Sequence, residues 1–237
     1  MNREVVAFLA VAAREFRGWV FTGFHWPVLA GEVAARLDGG SRSFRQLFEA
    51  GFATEGPADV LPTSTTDFAA FGGAIVWRGD VLGTLVRRAD LVVLDAANVD
   101  LAGCVNSTAI GDYRAPRVRM PGGGGAADAA GAARDLLLLY GGADPARIVE
   151  RVEHVTAAPG GPVRLRTRWG TVRLGAEPRL LTATGDVLVH RLRQLGVDTE
   201  GAEQEEPPTG REMDVAAEVL TEAAGRGYVV AREAVHG

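Results

Sequence analysis

The first ninety residues alternate apolar runs with segments in which apolar residues recur at helical spacing. The apolar residues of the N-terminal segment share one helical face, which predicts an amphipathic helix over 2–17 with Asn2 as its N-cap. The other elements predicted in this half are a strand at 19–23, a helix at 28–37, a strand at 43–51, a turn-rich segment at 56–65, a strand at 74–79 and a helix at 81–89.

Further along, residues 90–100 (DLVVLDAANVD) contain the continuous apolar run that is typical of a strand covered on both faces. Residues 128–140 predict a short helix followed by a buried strand. Strands that alternate with helices indicate an open, mainly parallel sheet, so we expect an α/β fold.

The last third of the chain has a different pattern. Apolar and polar residues alternate around glycine-containing turns, which predicts hairpin-like strands within 147–156, 163–174 and 179–192. An acidic connector at 198–210 leads to a closing helix at 211–226. Because there is no internal repeat and no sharp boundary, we expect a single domain over 1–237.

Composition narrows the possible functions. The chain has 237 residues, 47% of them hydrophobic, and a net charge of −5, so a basic footprint for nucleic acid is missing. The apolar run at 5–13 fits the amphipathic helix better than a secretory signal. No apolar stretch approaches the ~20 residues of a membrane span, and we expect a cytoplasmic protein without a membrane partner.

Several kinds of chemistry are excluded by missing residue types. All 25 basic residues are Arg, so a Walker-A phosphate loop and pyridoxal-phosphate (PLP) catalysis lack the Lys they need. The single cysteine, Cys104, cannot form an internal disulfide, and we interpret it as a small packing residue rather than a nucleophile. The histidines are widely spaced, so we expect no metal site; they are His25, His154, His190 and His236.

Four consecutive glycines, Gly122–Gly125, suggest a loop whose backbone approaches something closely. The run matches GxGxxA through Ala127, but it does not directly follow a buried strand, so an NAD site is disfavoured. Backbone N–H groups in such a run can instead hold a phosphate or an oxyanion. A flexible surface loop is the alternative.

The glycine run and its neighbours, VDLAGCVNSTAIGDYRAPRVRMPGGGGAAD (99–128), resemble the β subunits of class I CoA-transferases of the glutaconate CoA-transferase type. A looser similarity extends over most of residues 2–190. The resemblance implies an open, mixed, mostly parallel sheet with helices on both faces. The matching positions before the glycine loop are Asp100, Gly103, Asn106, Ser107, Thr108, Ile110, Gly111, Asp112, Tyr113 and Pro116.

The resemblance also implies a nucleophile. The family's catalytic carboxylate lies in a short segment whose place is taken here by LFEAGF, followed by PADVLPTS, and the matching residue is Glu49. A carboxylate can attack an acyl-CoA thioester and carry the acyl group and then CoA covalently. Glycine loops around it would supply N–H donors for the oxyanions. A solvated glutamate at a strand end is the alternative.

Other site residues follow from the same resemblance. We expect CoA and the oxyanion to be bound by Gly23, Asn106, Ser107, Gly122, Gly123, Gly124, Gly125 and Ala126, and the pocket to include Phe24, Trp26, Asp112 and Tyr113. Asp112 and Tyr113 could equally brace the loop. We interpret Arg114, Arg117 and Arg119 as solvated surface charges rather than as contacts to CoA phosphates.

One departure from the family pattern lies beside the nucleophile. Where the family has a second loop glycine, this chain has His25, in the run Gly23-Phe24-His25-Trp26-Pro27. His25 could serve as an acid or base near neutral pH, or it could be a loop histidine packed between aromatic rings.

The leading hypothesis is the β subunit of a CoA-transferase that acts with an α-type subunit on an acyl-CoA and a small carboxylic acid. CoA is then a substrate, and no metal, PLP or NAD is required. The alternative is that the same fold is re-used as an acyl-CoA hydrolase, including a carbon–carbon bond hydrolase, or as a decarboxylase. A non-catalytic partner subunit is the third possibility.

Overall fold

The computed structural model describes residues 1–39, 41, 43–77 and 79–236. Its α-helices are α1 (Arg3–Ala13), α2 (Trp26–Asp38), α3 (Ala126–Ala132), α4 (Val187–Gln194), α5 (Gly210–Gly225) and α6 (Val229–His236). Its strands are β1 (Gly18–Thr22), β2 (Phe44–Phe48), β3 (Phe52–Thr54), β4 (Ile75–Val76), β5 (Leu91–Asp95), β6 (Val99–Asp100), β7 (Ala109–Ile110), β8 (Val118–Arg119), β9 (Leu136–Tyr140), β10 (Ile148–Val149), β11 (Val163–Thr167), β12 (Gly170–Leu174), β13 (Arg179–Ala183) and β14 (Glu203–Gln204).

Ten of these strands form one mixed sheet in the order β14-β13-β12-β11-β9-β5-β1-β2-β3-β4. Its centre, from β11 to β2, is parallel throughout, whereas β12 and β13 on one side and β3 and β4 on the other pair antiparallel. The carboxyl ends of β1, β2, β5 and β9 therefore meet at the same edge of the sheet. In open α/β sheets this is the edge at which ligands bind.

The central strands are apolar on both faces because helices cover both. Leu137 and Leu139 of β9 pack with α1, α2, α5 and α6 on one face. Leu136 and Leu138 pack with α3 and α4 on the other face. The alternation of side chains along a strand thus explains why this segment is a continuous leucine run.

Most elements of the parallel half agree with the sequence prediction. Asn2 caps α1 as expected, since its side-chain oxygen accepts hydrogen bonds from the N–H groups of Glu4 and Val5. The predicted strand at 74–79 shortens to Ile75–Val76, and its Arg78 lies outside the described residues. Of the helix predicted at 81–89, residues 81–88 are helical, as a π turn followed by a 3-10 turn.

The last third differs more from the prediction. The expected hairpin over 163–174 is present as β11 and β12. The strand predicted to continue to 192 is wrong, because residues 187–194 form α4, in which Leu188 and Leu192 are buried one helical turn apart. Only Ile148–Val149 is a strand within 147–156. After the predicted closing helix, α6 follows as a further helix.

The turn-rich segment at 56–65 is held in place by buried polar contacts. The Glu32 carboxylate, 2% exposed, accepts a hydrogen bond from the Ala58 N–H at 2.9 Å. Arg36 pairs with Glu32 at 2.7 Å and also with Glu222 of α5. The Tyr228 hydroxyl donates a hydrogen bond to the Pro62 carbonyl. The C-terminal helices thereby fix a loop that leads to the sheet edge described next.

Candidate active site

A cavity of about 450 Å³ lies where the parallel strands end. This volume is within the range of small-molecule sites. The cavity is lined by Phe21, Gly23, Phe24, His25, Glu49, Thr65, Leu94, Asp95, Ala97, Ser107, Met120, Pro121, Gly122, Gly123, Gly124, Gly125 and Ala126. It therefore combines Glu49, the glycine run and the loop around His25, which are far apart in sequence.

Glu49 directly follows β2 and is exposed in the single chain. Its carboxylate lies against the glycine loop: a Cβ built on Gly125 would fall 2.7 Å from Glu49 Oε1 and 2.9 Å from Cδ. Only a residue without a side chain allows this approach. The carboxylate is thus accessible to a ligand and adjacent to the backbone of the loop.

The glycine run forms an irregular loop that leads into α3. Gly122 and Gly124 have φ values of 93° and 51°, which L side chains rarely adopt. The Gly122 N–H donates to the Ser107 carbonyl at 2.8 Å, and the Ala126 N–H donates to the Gly123 carbonyl at 2.9 Å. Within the described part of the chain, the N–H groups of Gly123, Gly124 and Gly125 donate no backbone hydrogen bond. These three remain available to a ligand.

The segment before the loop has a supporting function. Asn106 is fully buried, donates to the Ala109 carbonyl at 2.7 Å and accepts from the N–H groups of Thr108 and Ala109. This differs from the expectation that Asn106 contacts a ligand, because its amide is used inside the turn. Ser107 does line the cavity, and its N–H donates to Thr156 Oγ1 at 2.9 Å.

His25 has an unusual backbone. Its φ is 61° and its ψ −117°, and within the described residues it is the sole non-glycine with a positive φ. Its ring lies 4.7 Å from Phe24 and 6.5 Å from Tyr228, centroid to centroid. Burial lowers the pKa of the imidazole, so the neutral form is favoured. Its Nδ1 is buried without a hydrogen-bond partner.

The two aromatic residues beside His25 point in different directions. Phe24 lines the cavity and packs 5.2 Å from Tyr228. Trp26 is 4% exposed, stacks edge-on against Phe8 at 5.2 Å and lies under Gly141. Trp26 was expected in the pocket, but it belongs to the core because it is the first residue of α2 and faces α1.

Asp112 and Tyr113, also expected in the pocket, lie outside it in the connection between β7 and β8. Asp112 Oδ1 accepts a hydrogen bond from the Arg114 N–H at 2.7 Å and so braces the turn. The Tyr113 ring, 58% exposed, lies 5.0 Å from the Arg119 guanidinium and 5.7 Å from the His154 ring. Their position corresponds to the bracing alternative.

Asp95 lines the cavity although the sequence analysis did not select it. It is the last residue of β5, and burial raises the pKa of its carboxyl to about 7, partly offset by a hydrogen bond from the Ala96 N–H. Asp95 could have been found in the sequence as a charged residue that ends the apolar run LVVL. Treating 90–100 as one continuous strand hides that signal, because the strand end then falls five residues later.

Two structural findings concern alternatives to this site. In the described ranges, no group of three or more His, Cys, Asp or Glu side chains is placed to hold a metal ion. Over the same residues, no helix has both the length and the apolar character needed to cross a membrane.

Cys104 is half-buried, and burial, followed by the charge of Asp100, raises the pKa of its thiol.

Comparison with known proteins bears on the fold and the site together. No protein-family model matches the chain. It is 37% identical over 136 residues to the B subunit of the 3-oxoadipate CoA-transferase of Pseudomonas knackmussii, covering 55% of this chain and 51% of that protein. It is 29% identical over 179 residues to the B subunit of the glutaconate CoA-transferase of Acidaminococcus fermentans, covering 69% of this chain and 65% of that protein. These matches span less than two thirds of either relative.

Solved structures match over nearly the whole chain. The glutaconate coenzyme A-transferase of Acidaminococcus fermentans superposes with a TM-score of 0.76 at 19% identity, covering 95% of this chain and 96% of that one. The decarboxylase AibA/AibB superposes with a TM-score of 0.72 at 25% identity, covering 90% and 92%. The first of these matches shows the fold alone.

The chain thus has the α/β fold of the glutaconate CoA-transferase structure and is similar in sequence to two CoA-transferase B subunits. More particularly, the chain is a relative of the CoA-transferase B subunits, and the resemblance predicted from residues 99–128 is confirmed.

Proposed function

We propose that this chain is the β subunit of a CoA-transferase that moves CoA between an acyl-CoA and a carboxylic acid, with Glu49 as the nucleophile. One observation carries the proposal: the Glu49 carboxylate lies against Gly125 in a cavity that ends the parallel strands. The names of the two curated relatives, both CoA-transferase B subunits, support it.

The chemistry starts with the Glu49 carboxylate, which attacks the thioester carbon of the acyl-CoA and expels CoA thiolate. The thiolate then attacks the resulting anhydride and forms a glutamyl-CoA thioester, which the acceptor acid attacks in turn. Each step passes through a tetrahedral oxyanion. Backbone donors at such an oxyanion are typically worth ~3 kcal/mol each. Gly125 lies against the Glu49 carboxylate, and Gly123 and Gly124 line the same cavity.

An α-type subunit completes the active unit in this proposal. A reactive anhydride must be kept from water, yet Glu49 is exposed in the single chain. Both curated relatives are named as B subunits, which implies a second type of subunit in those enzymes. We infer that the α-type subunit covers the Glu49 side of the cavity.

Trapping of the covalent intermediate tests the proposal. The complex of this chain with its α-type subunit is incubated with acyl-CoA, treated with hydroxylamine or borohydride, and analysed by peptide mass spectrometry. We expect modification at Glu49, and none in Glu49→Gln. Glu218→Gln, an exposed change on α5, is the matched control and should be labelled at Glu49 like the wild type. Transfer activity without modification of Glu49 would refute the assignment.

The second candidate is an acyl-CoA hydrolase or decarboxylase on the same fold. His25 favours it, since a neutral imidazole with an unpartnered Nδ1 lines the cavity. The fold shared with the decarboxylase AibA/AibB is compatible with it. Two results would support this candidate. The complex would release CoA or CO₂ without an acceptor acid, and the rate of that release would fall ~10²–10⁴-fold in His25→Gly.

A non-catalytic subunit is the third possibility. In that case calorimetry would show no CoA binding by the complex.

A further inference from the structure

The segment that follows β4 packs against the turn that carries Glu49. Gly51, two residues after Glu49, has a φ of 87°, and its N–H donates to the Phe48 carbonyl at 3.0 Å, which closes this turn. The Trp77 N–H donates to the Gly51 carbonyl at 2.5 Å. A Cβ built on Gly51 would lie 2.8 Å from the Trp77 carbonyl oxygen and 3.6 Å from Val81 Cγ2. Trp77 and Val81 therefore fix the backbone of the turn from one side.

Leu82, the next residue of this segment, lies beside the Glu49 carboxylate. The Cβ built on Gly125 would fall 2.7 Å from Glu49 Oε1 and 2.8 Å from Leu82 Cδ1, so these two atoms are no farther apart than the sum of the two distances. A water molecule in line between them would need about 2.8 Å to the oxygen and about 3.5 Å to the methyl carbon, which exceeds that sum. The Leu82 methyl group thus occupies one side of the carboxylate.

The π turn at Val81–Leu85 holds Leu82 in this place. Asp80 precedes the turn, and its Oδ1 accepts a hydrogen bond from the Gly83 N–H at 2.8 Å. Val81 is buried, and Leu82 packs against the part of the hydrophobic core that includes α3. The turn also packs directly against α3, which begins immediately after Gly125. Leu82 and the glycine loop are therefore positioned by the same contact between the π turn and α3.

We propose that Leu82 is a positioning residue that keeps water from the CoA thioester on Glu49 and so favours transfer over hydrolysis. This inference rests on the proposed transferase function. In hydrolysis, a water oxygen adds to the thioester carbon and the C–S bond breaks, which leaves the Glu49 carboxylate, CoA thiol and one proton. In transfer, a carboxylate oxygen of the acceptor acid adds to the same carbon and CoA thiolate leaves with its electron pair. Exclusion of water slows the first reaction and not the second.

The test measures hydrolysis and transfer on a preformed intermediate. The complex of this chain with its α-type subunit is loaded with acyl-CoA until Glu49 carries CoA, and small molecules are removed by gel filtration. Free CoA released in buffer alone gives the rate of hydrolysis, and acyl-CoA formed after addition of acceptor acid gives the rate of transfer. We expect the ratio of hydrolysis to transfer to rise about tenfold in Leu82→Ala, because the carboxyl carbon becomes accessible to water. Leu82→Met, of similar volume, should keep the wild-type ratio.

Leu85→Ala is the matched control. It removes the same atoms from the same π turn, but Leu85 lines a separate groove with Trp19 and Trp77. The ratio of hydrolysis to transfer in Leu85→Ala should equal that of the wild type.

The outcomes separate this inference from the proposed function. If Leu82→Ala hydrolyses the thioester no faster than the wild type, or if Leu85→Ala raises the ratio as much, the assignment of Leu82 is wrong and the transferase function is unaffected. If Leu82→Ala does not assemble with the α-type subunit, Leu82→Val carries the same prediction with a smaller increase. If Glu49 of the wild type never carries CoA, both proposals are wrong.

Discussion

Glu49 and Gly125 are in contact although 76 positions separate them in sequence: the carboxylate of one occupies the space that a side chain on the other would fill. The contact joins the end of β2 to the start of α3. It leaves the Gly125 N–H beside a potential nucleophile. A side chain added at Gly125 would displace the Glu49 carboxylate, so a substitution at Gly125 tests the site.

Gly125→Ala should impair the chemistry with little effect on folding. The Gly125 φ of −79° suits alanine, but the new Cβ would lie 2.7 Å from Glu49 Oε1 and 2.8 Å from Leu82 Cδ1, so the carboxylate must move. A displacement of about 1 Å can cost 10²-fold in rate. We expect that loss in the rate of Glu49 modification, with a melting temperature close to that of the wild type.

Gly131→Ala is the matched control for this change. Gly131 lies in α3, and a Cβ there meets no atom within 4 Å. We expect an unchanged rate and a gain of about 0.5–1 kcal/mol in the free energy of unfolding. Equal rates for the two alanine variants would show that the position of the Glu49 carboxylate does not matter.

The stability of the protein should depend on pH through Asp95. Its native pKa of about 7 lies above the ordinary value of 3.8, so the unfolded chain releases the proton first. The contribution of this group to stability is therefore lost as pH rises from about 4 to 7, and the loss is complete above the native pKa.

Asp95→Asn removes that dependence. We expect its free energy of unfolding to exceed that of the wild type by roughly 1–3 kcal/mol at pH 8, and the difference to shrink towards pH 4. Urea denaturation at several pH values measures it. A constant difference over this range would contradict a raised pKa for Asp95.

The backbone at His25 predicts an inverted preference between glycine and alanine. His25→Ala keeps a side chain at a φ of 61° and loses the contacts with Phe24 and Tyr228, whereas His25→Gly loses the same contacts but relieves the backbone. We expect the glycine variant to be more stable than the alanine variant by about 1 kcal/mol in urea denaturation.

At an ordinary helical position the order should be reversed. Glu218 is exposed on α5, so Glu218→Gly should be less stable than Glu218→Ala by about 1 kcal/mol. If alanine is the better residue at both positions, His25 is not strained.

The sequence predicted the parallel half of the fold well because its strands are buried on both faces. Runs such as Leu136–Tyr140 leave no competing periodicity, and the strand is found where it was expected. The 187–194 segment was misassigned because the alternation within 179–192 was extended through Val187, Leu188 and Val189, three consecutive apolar residues that do not alternate with polar ones. Burial of Leu188 and Leu192 decides for a helix, and that depends on packing against β13 and the segment at 145–147.

The candidate site was predictable only in part. Glu49, His25 and the glycine run came from local motifs, and the structure brings them to one cavity. Trp26 could not be placed, because a residue at a helix start can face either the loop or the core. Asp95 carries no motif, and its significance comes from desolvation by neighbours distant in sequence. The catalytic assignments stay predictions, as does the single-domain organisation over 1–237.

Because Tyr228 lies near the C-terminus, the cavity is completed only late in translation. Its ring packs against Phe24 and His25, and its hydroxyl holds Pro62, although all three are translated some 165 or more residues earlier. While the ribosome is still making the second half of the chain, the loop at Phe24 and His25 lacks its contacts with Tyr228. A nascent chain can therefore assemble the sheet before it has a finished cavity, and it acquires one only when α5 and Tyr228 have emerged and docked.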